Sequence, residues 1–167
     1  VTVVVAPPFT ALAAVAQQNG EIPAGLGNLT KLYSLDLSGN SLTGAIPSSI
    51  GQLTQLFVLS LFNNQFTGPV PASFTNFSRI TVIYLQNNHL DGLPQLSAIP
   101  TLVHLFADQN QFTFEDLEPN RQIVDFDYTP QLKVPAVDDT ISVVYGSPLD
   151  IAFTIGGSAN TYQWRKN

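Results

Sequence analysis

Apolar residues recur along the middle of the chain with a spacing that neither one helix nor one long strand explains. The order L-x-x-L-x-L-x-x-N occurs four times, with mostly leucine or isoleucine at the apolar positions. The copies span residues 32–40, 56–64, 80–88 and 102–110. Their closing asparagines are 24, 24 and 22 residues apart (64 − 40, 88 − 64 and 110 − 88). A period of this length predicts small structural units stacked along one axis.

The central L-x-L of each copy predicts a short strand, because alternate side chains of a strand point to opposite faces. One such strand cannot bury its apolar face alone, so stacked copies would pair in parallel and share a core. The asparagine after each strand is expected to turn inward, where its amide can satisfy backbone groups at the bend. These residues are Asn40, Asn64, Asn88 and Asn110.

The segments that follow the first two asparagines share a second motif. Asn40 is followed by S-L-T-G-A-I-P-S-S-I-G-Q-L, and Asn64 is followed by Q-F-T-G-P-V-P-A-S-F. With the strand motif, these segments resemble the plant-type leucine-rich repeat, which also occurs in bacterial surface proteins. The resemblance implies an α/β solenoid with a parallel β-sheet on its concave side. The glycine would allow a tight turn or a close approach of coils, and the proline would stiffen the convex side.

The outer repeats depart from this pattern. Residues 90–94 contain one residue fewer before the proline, so we expect a short convex side there. The fourth repeat loses the motif at residues 112–119, which we interpret as an atypical capping repeat. At the other end, a helix over residues 11–18 is predicted to cap the stack. The solenoid is therefore expected to span residues 9–120.

The C-terminal segment has strand character without the repeat. Residues 121–167 hold β-branched and aromatic runs separated by turn residues, and Trp164 lies in the last run. These runs resemble the first strands of an immunoglobulin-like domain, in which a tryptophan packs in the core. We expect residues 121–167 to be a partial all-β Ig-like sandwich, with residues 123–130 as a linker and first strand.

The chain begins with a lone predicted strand within residues 1–8, carried by Val1, Val3 and Val5, which is similar to the last strand of an Ig-like domain. Two explanations stay open. The chain is a piece of a longer Ig–repeat–Ig protein, which the absence of any methionine also favours. Alternatively, this strand completes the sandwich of the next copy by strand addition, which would join copies head to tail in a filament.

Composition and charge exclude several kinds of site. The net charge is −6 and there is no cysteine, so neither a basic nucleic-acid surface nor a disulfide or thiolate metal site is expected. No apolar run approaches the ~20 residues of a membrane span. The acidic pairs Asp125/Asp127 and Asp138/Asp139 lack the spacing of a calcium loop, and we interpret them as solvated turn residues. We expect no cofactor and no metal.

The sequence does not specify a catalytic constellation. His89 and His104 are the two histidines, and each lies inside a repeat. A nucleophile–histidine pair would need Ser34 or Ser60 on the same face as His104, and no motif requires that arrangement. We therefore predict that the chain is not an enzyme.

The outward positions of the predicted strands carry the candidate binding site, because repeat proteins bind through this surface. Exposed aromatic residues beside amides and acids are typical of patches that bind protein or glycan. The residues are Phe62, Tyr84, Phe106, His104, Asp36, Gln86 and Asp108. Aromatic residues also favour strands for reasons of packing alone, which is the alternative explanation. We predict an extracellular or cell-surface protein that serves adhesion or binding, with the filament subunit as the alternative.

Three side chains are candidates for glycosylation. The sequons Asn28-Leu-Thr30 and Asn76-Phe-Ser78 take matching positions of their repeats, on the predicted convex side. The third candidate is Thr140, because Asp139-Thr140-Ile141 resembles an O-glycosylation motif of some Bacteroidetes.

Overall fold

The computed structural model describes residues 20–132, which form a stack of coils with a strand on one side and a short helix on the other. The strands of the described residues are β1 (Ser34–Asp36), β2 (Thr43–Gly44), β3 (Val58–Ser60), β4 (Gln65–Pro69), β5 (Val82–Tyr84), β6 (His89–Gly92), β7 (His104–Phe106) and β8 (Asp125–Asp127). The 3-10 helices are Ala24–Asn28, Ser48–Gln52, Ala72–Asn76, Leu96–Ala98 and Glu118–Asn120, and a single α-helical turn, α1, spans Phe114–Leu117.

The strands form two parallel sheets. The concave sheet has the order β1-β3-β5-β7-β8, and residues at equal positions of successive repeats stand opposite one another. The second sheet has the order β2-β4-β6. The predicted α/β solenoid with a parallel concave sheet is therefore confirmed for the described residues.

The core lies between the concave sheet and the 3-10 helices. The middle residues of the first four concave strands, Leu35, Leu59, Ile83 and Leu105, are each 0% exposed. Ile50 and Phe74 enter the same core from the helices and are also fully buried. Because every coil adds one inward layer to its neighbour, the core is continuous along the stack, and no repeat buries its apolar face alone.

The asparagines after β3, β5 and β7 form a buried ladder, as the sequence predicted. Asn40, after β1, is instead half-buried and donates only to carbonyl oxygens of its own bend. Asn88 is 2% exposed; its Oδ1 accepts from the Phe66 N–H (3.1 Å), and its Nδ2 donates to the Leu61 and Leu85 carbonyl oxygens (3.1 and 3.0 Å). Asn64 and Asn110 repeat this pattern one coil earlier and one coil later. The asparagine ladder (Asn64, Asn88 and Asn110) thus connects four consecutive coils through their buried bends.

Close packing of the 3-10 helices explains the second glycine of the repeat motif. A Cβ atom built on Gly51 would lie 2.4 Å from the Ser73 carbonyl oxygen, and one on Gly27 would lie 2.3 Å from that of Ser49. Contacts this short would force the coils apart. The third repeat has the short convex side that its missing residue predicted, because its helix is reduced to Leu96–Ala98.

The stack extends beyond the boundary that the sequence analysis placed at residue 120. β8 pairs in parallel with β7, and Ile123 joins the core at 6% exposure. Residues 123–131 read I-V-D-F-D-Y-T-P-Q, which is the strand motif with other apolar residues and with glutamine in place of the asparagine. The expectation that this stretch starts an Ig-like domain is therefore corrected: it is a fifth repeat.

Gln131 takes the place of the missing asparagine. It follows Asn110 by 21 residues (131 − 110). Its Oε1 accepts from the Phe112 N–H (3.1 Å), and its Nε2 donates to the Ala107 carbonyl oxygen (3.0 Å) and to that of Tyr128. A longer amide thus makes the same type of contacts as the asparagine ladder.

The segment interpreted as a capping repeat is instead the convex side between β7 and β8. α1 begins with a capping box, in which Thr113 and Asp116 exchange hydrogen bonds. Asn120 is fully buried and accepts from the backbone N–H groups of Leu96 and Ser97, so it joins this segment to the coil before it. An apolar cavity of about 220 Å³ lies at this end of the stack, between α1 and the aromatic residues Phe126 and Tyr128.

Several predictions concern parts of the chain outside the described residues. They are the strand of Val1, Val3 and Val5, the capping helix over residues 11–18, Trp164 with the remaining Ig-like strands, and the glycosylation candidate Thr140.

Candidate binding site on the concave sheet

The register of the concave sheet arranges its outward side chains in columns. One column contains Ser34, Val58, Val82, His104 and Asp125. The next contains Asp36, Ser60, Tyr84, Phe106 and Asp127. Backbone hydrogen bonds continue the alignment into the bend, where Phe62, Gln86 and Asp108 follow one another. Neighbouring strands lie about 4.8 Å apart, so side chains in one column are in direct reach of each other.

Three aromatic rings from successive coils form an aromatic row, namely Phe62 in the bend after β3, Tyr84 on β5 and Phe106 on β7. The rings of Tyr84 and Phe106 are stacked, with centroids 4.9 Å apart and planes at 7°. The rings of Phe62 and Tyr84 make an edge-type contact, with centroids 6.1 Å apart and planes at 62°. All three side chains are partly exposed. The structure therefore brings together the aromatic residues that the sequence analysis singled out.

His104 extends this row and pairs with the last strand. Its ring lies parallel to that of Phe106, with centroids 6.5 Å apart. Its Nδ1 is 2.8 Å from Asp125 Oδ2, and both side chains are about half exposed. Ser34 shares the column of His104 but is three strands away, about 14 Å at the usual strand spacing. Ser60, the other candidate, is in register with Tyr84 in the neighbouring column, two strands from β7. In the described residues, the side-chain partner of His104 is therefore a carboxylate and not a serine.

The acidic candidates lie at the two ends of the sheet. Asp36, on β1, accepts from the backbone N–H and the hydroxyl of Ser38 (2.9 and 2.6 Å). Asp108 lies at the other end, beside β8. Partial burial and the negative charge of Asp127 raise the pKa of Asp108, while its backbone N–H and the Gln109 amide act in the opposite direction. The ionised form of Asp108 is therefore disfavoured in the folded protein.

Amide groups form the rim next to the aromatic row. Asn63 and Asn87 adopt positive φ angles of 55° and 60°, and the Asn87 Nδ2 donates to Asn63 Oδ1 at 2.6 Å. Gln86 lies one residue before Asn87, and its Oε1 is buried without a hydrogen-bond partner. The rim thus offers exposed amides and one unsatisfied acceptor.

The raised pKa of Asp108 leads to a prediction about stability. The pKa of Asp108 is higher in the folded protein than in the unfolded chain. At pH values between these two, the folded state binds more protons than the unfolded state, so the free energy of unfolding falls as the pH rises through this range. Asp108→Asn should therefore raise Tm at neutral pH, and the gain should vanish below about pH 3.5, where the carboxyl is protonated in both states. Thermal unfolding at both pH values measures this.

Asp91→Asn is the matched control, because Asp91 is an exposed acid on β6 and lies outside the concave sheet. It changes the net charge equally and should leave Tm nearly unchanged. A Tm below that of the wild type for Asp108→Asn at neutral pH would contradict the inference that the charge of Asp108 destabilises the folded protein.

Asp125 and Asp127 belong to this face as well, against the expectation from the sequence. The sequence predicted that both lie in solvated turns, but they flank the middle residue of β8 and face outward beside His104 and Phe106. The 21-residue interval from the fourth repeat (123 − 102) would have revealed them once isoleucine and phenylalanine were accepted at leucine positions.

Asn28 and Asn76, the described glycosylation candidates, lie away from this face. Each is exposed at the last residue of a 3-10 helix on the convex side. Neither side chain obstructs the concave sheet.

The described residues hold neither a cluster of three metal-binding side chains nor a helix with the length and hydrophobicity of a membrane span.

Comparisons with known proteins identify the repeat. Residues 31–53 and 55–77 each match the Leucine Rich Repeat family. No curated protein matches the chain. Among solved structures, the chain is similar to PEPR1 in its complex with AtPEP1, at 32% identity and a TM-score of 0.60, over 66% of this chain and 16% of that chain.

Two further structures show the same similarity. A plant ice-binding protein is 32% identical with a TM-score of 0.60, covering 67% of this chain and 37% of that one. The leucine-rich-repeat ectodomain of the receptor kinase SOBIR1 from Arabidopsis thaliana is 30% identical with a TM-score of 0.58. The similarity covers 70% of this chain and 66% of that one. The chain thus spans only 16% of PEPR1 and 37% of the ice-binding protein. The chain therefore contains leucine-rich repeats, identified at residues 31–53 and 55–77, within the solenoid of residues 20–132.

Proposed function

We propose that this solenoid is a non-enzymatic recognition module that binds a peptide or protein segment on its concave face. The aromatic row is the observation that carries the proposal. Tyr84 and Phe106 present rigid, partly exposed rings at the centre of the sheet, and aromatic side chains of this kind dominate the energy of protein interfaces.

The chemistry around the rings supports binding rather than catalysis. Amides and acids surround the aromatic row, which matches the apolar centre and polar rim of a recognition surface. PEPR1 is in complex with AtPEP1, and the peptide hormone receptor RGFR1 is in complex with RGF2. RGFR1 is a plant peptide hormone receptor, and the SOBIR1 structure is the ectodomain of a receptor kinase. By this similarity we infer that the chain lies outside the cell or at its surface, where the same face would serve adhesion.

Panning a random peptide library on the full chain tests this proposal. The enriched peptides are then titrated against the wild-type protein, Tyr84→Ala and Phe106→Ala. Each substitution should weaken binding about 30-fold, since the loss of a central aromatic anchor costs at least ~2 kcal/mol. Both side chains are partly exposed, so circular dichroism should show that the variants remain folded.

Phe114→Ala is the matched control. Phe114 is 42% exposed on α1, on the convex side of the stack rather than on the outward face of the concave sheet, and its removal should leave the affinity unchanged. Peptides that bind all four proteins equally would place recognition elsewhere and refute the proposal.

A further inference from the structure

We propose that the concave face recognises a basic side chain of its partner, an arginine or lysine that lies on Phe106 and contacts the carboxylates of Asp108 and Asp127. This inference rests on the proposed function and specifies the ligand of the same surface. It follows from the distribution of charge, the end of the aromatic row, and two groups beside it: a carboxylate without a neighbouring cation and an amide oxygen without a donor.

Charge on this face is of one sign. Four acids have outward positions on or just after the concave strands: Asp36, Asp108, Asp125 and Asp127. The described lysine and arginine residues are Lys31, Arg79 and Arg121, and each lies before a concave strand rather than on it. His104 already has Asp125 as its partner. An anionic ligand would be repelled here, whereas a cationic segment would complement the surface.

The aromatic row ends where the acids begin. Tyr84 covers Phe106 on the β5 side, with the two rings stacked at 4.9 Å. On the β8 side, the residue in register with Phe106 is Asp127 rather than another aromatic residue. A planar guanidinium can stack on a ring while it donates to carboxylates, and an ammonium can make the corresponding cation–π contact. Phe106 and Asp127 provide these two elements side by side.

Two groups beside this point lack the partners that a cation would supply. Asp108 is partly buried near Asp127, and in the described residues no positively charged side chain on this face compensates them. The Oε1 of Gln86 is buried without a hydrogen-bond donor. An arginine carries five N–H donors, so it could neutralise the carboxylates, and a rotation of the Gln86 side chain would bring its amide oxygen within reach of one of those donors.

A peptide fits this site better than an isolated small cation. The column from Asp36 to Asp127 spans five strands, about 19 Å at the usual spacing, with the rings in the middle. An extended segment of about six residues has this length. Its apolar side chains would contact Tyr84 and Phe62 while its basic residue reaches β8.

The test uses peptides selected on the full chain from the random library. Arginine and lysine should be enriched roughly threefold over the unselected library, and replacing them with glutamine in a selected peptide should weaken binding roughly tenfold. Asp108→Asn and Asp127→Asn should each weaken binding of the basic peptide and leave binding of its glutamine version unchanged. Asp91→Asn removes one exposed charge outside the concave sheet and should have no effect.

The outcomes separate the inference from the function on which it rests. Selected peptides that lose affinity with Tyr84→Ala but contain no excess of arginine or lysine would overturn the inference and leave the proposed function intact. Basic peptides that bind Asp108→Asn and Asp127→Asn as tightly as wild type would overturn it as well. Peptides insensitive to Tyr84→Ala, or a library without any enrichment, would overturn both.

Discussion

Replacing Asn88 with alanine is expected to lower the free energy of unfolding by about 3 kcal/mol, because buried backbone groups lose their partners. The Phe66 N–H and the Leu61 carbonyl oxygen belong to the preceding repeat, and both contact this side chain. Alanine offers neither donor nor acceptor, and water has no ready access to a site where asparagine is 2% exposed. Urea denaturation followed by circular dichroism measures the loss.

Asn76→Ala is the control for this substitution. Asn76 is exposed at the end of a 3-10 helix, so the same chemical change should cost less than about 0.5 kcal/mol. Equal stability of the two variants would mean that the asparagine ladder does not hold the coils together.

Gly51→Ala should destabilise the protein by about 3 kcal/mol for a steric reason. The added Cβ would lie 2.4 Å from the Ser73 carbonyl oxygen and 2.6 Å from the Ser73 Cβ. The atom in the way belongs to the backbone of the next coil, so a side-chain rotation cannot relieve the clash. The two coils would have to move apart. The same urea titration detects the change.

Gly25→Ala provides a close comparison within an equivalent helix. No atom lies within 4 Å of a Cβ built at Gly25, so alanine meets no steric obstacle there. The substitution should be neutral or should stabilise the protein by up to ~1 kcal/mol, because alanine lowers the conformational entropy of the unfolded chain. If Gly51→Ala proves as stable as Gly25→Ala, the close approach of the coils is not what requires glycine.

The sequence predicted the parts of the fold that depend on chemistry repeated in register. Each inward leucine and each buried asparagine performs one task per coil, so four copies at a regular interval specify the concave sheet and the asparagine ladder. The outward columns follow from the same register. That is why Phe62, Tyr84 and Phe106 could be placed together before any distance was known.

The sequence did not predict the fifth repeat, because different residue types there fill the positions of leucine and asparagine and make the same contacts. Ile123 and Phe126 fill leucine positions, and Gln131 makes the contacts of an asparagine with one more methylene group. The second sheet was missed because β2 has two residues, one of them glycine, and carries no alternating pattern. The proximity of Asp127 to Asp108 could not be predicted without assigning the fifth strand.

Photo-crosslinking with a selected peptide tests the central claim most directly. A peptide that carries a benzophenone group is bound to the full chain, irradiated, and mapped by mass spectrometry. Recognition by the concave face predicts crosslinks in β3, β5, β7 and the bends that follow them. Crosslinks concentrated in the convex helices Ala24–Asn28, Ser48–Gln52 and Ala72–Asn76 would contradict it.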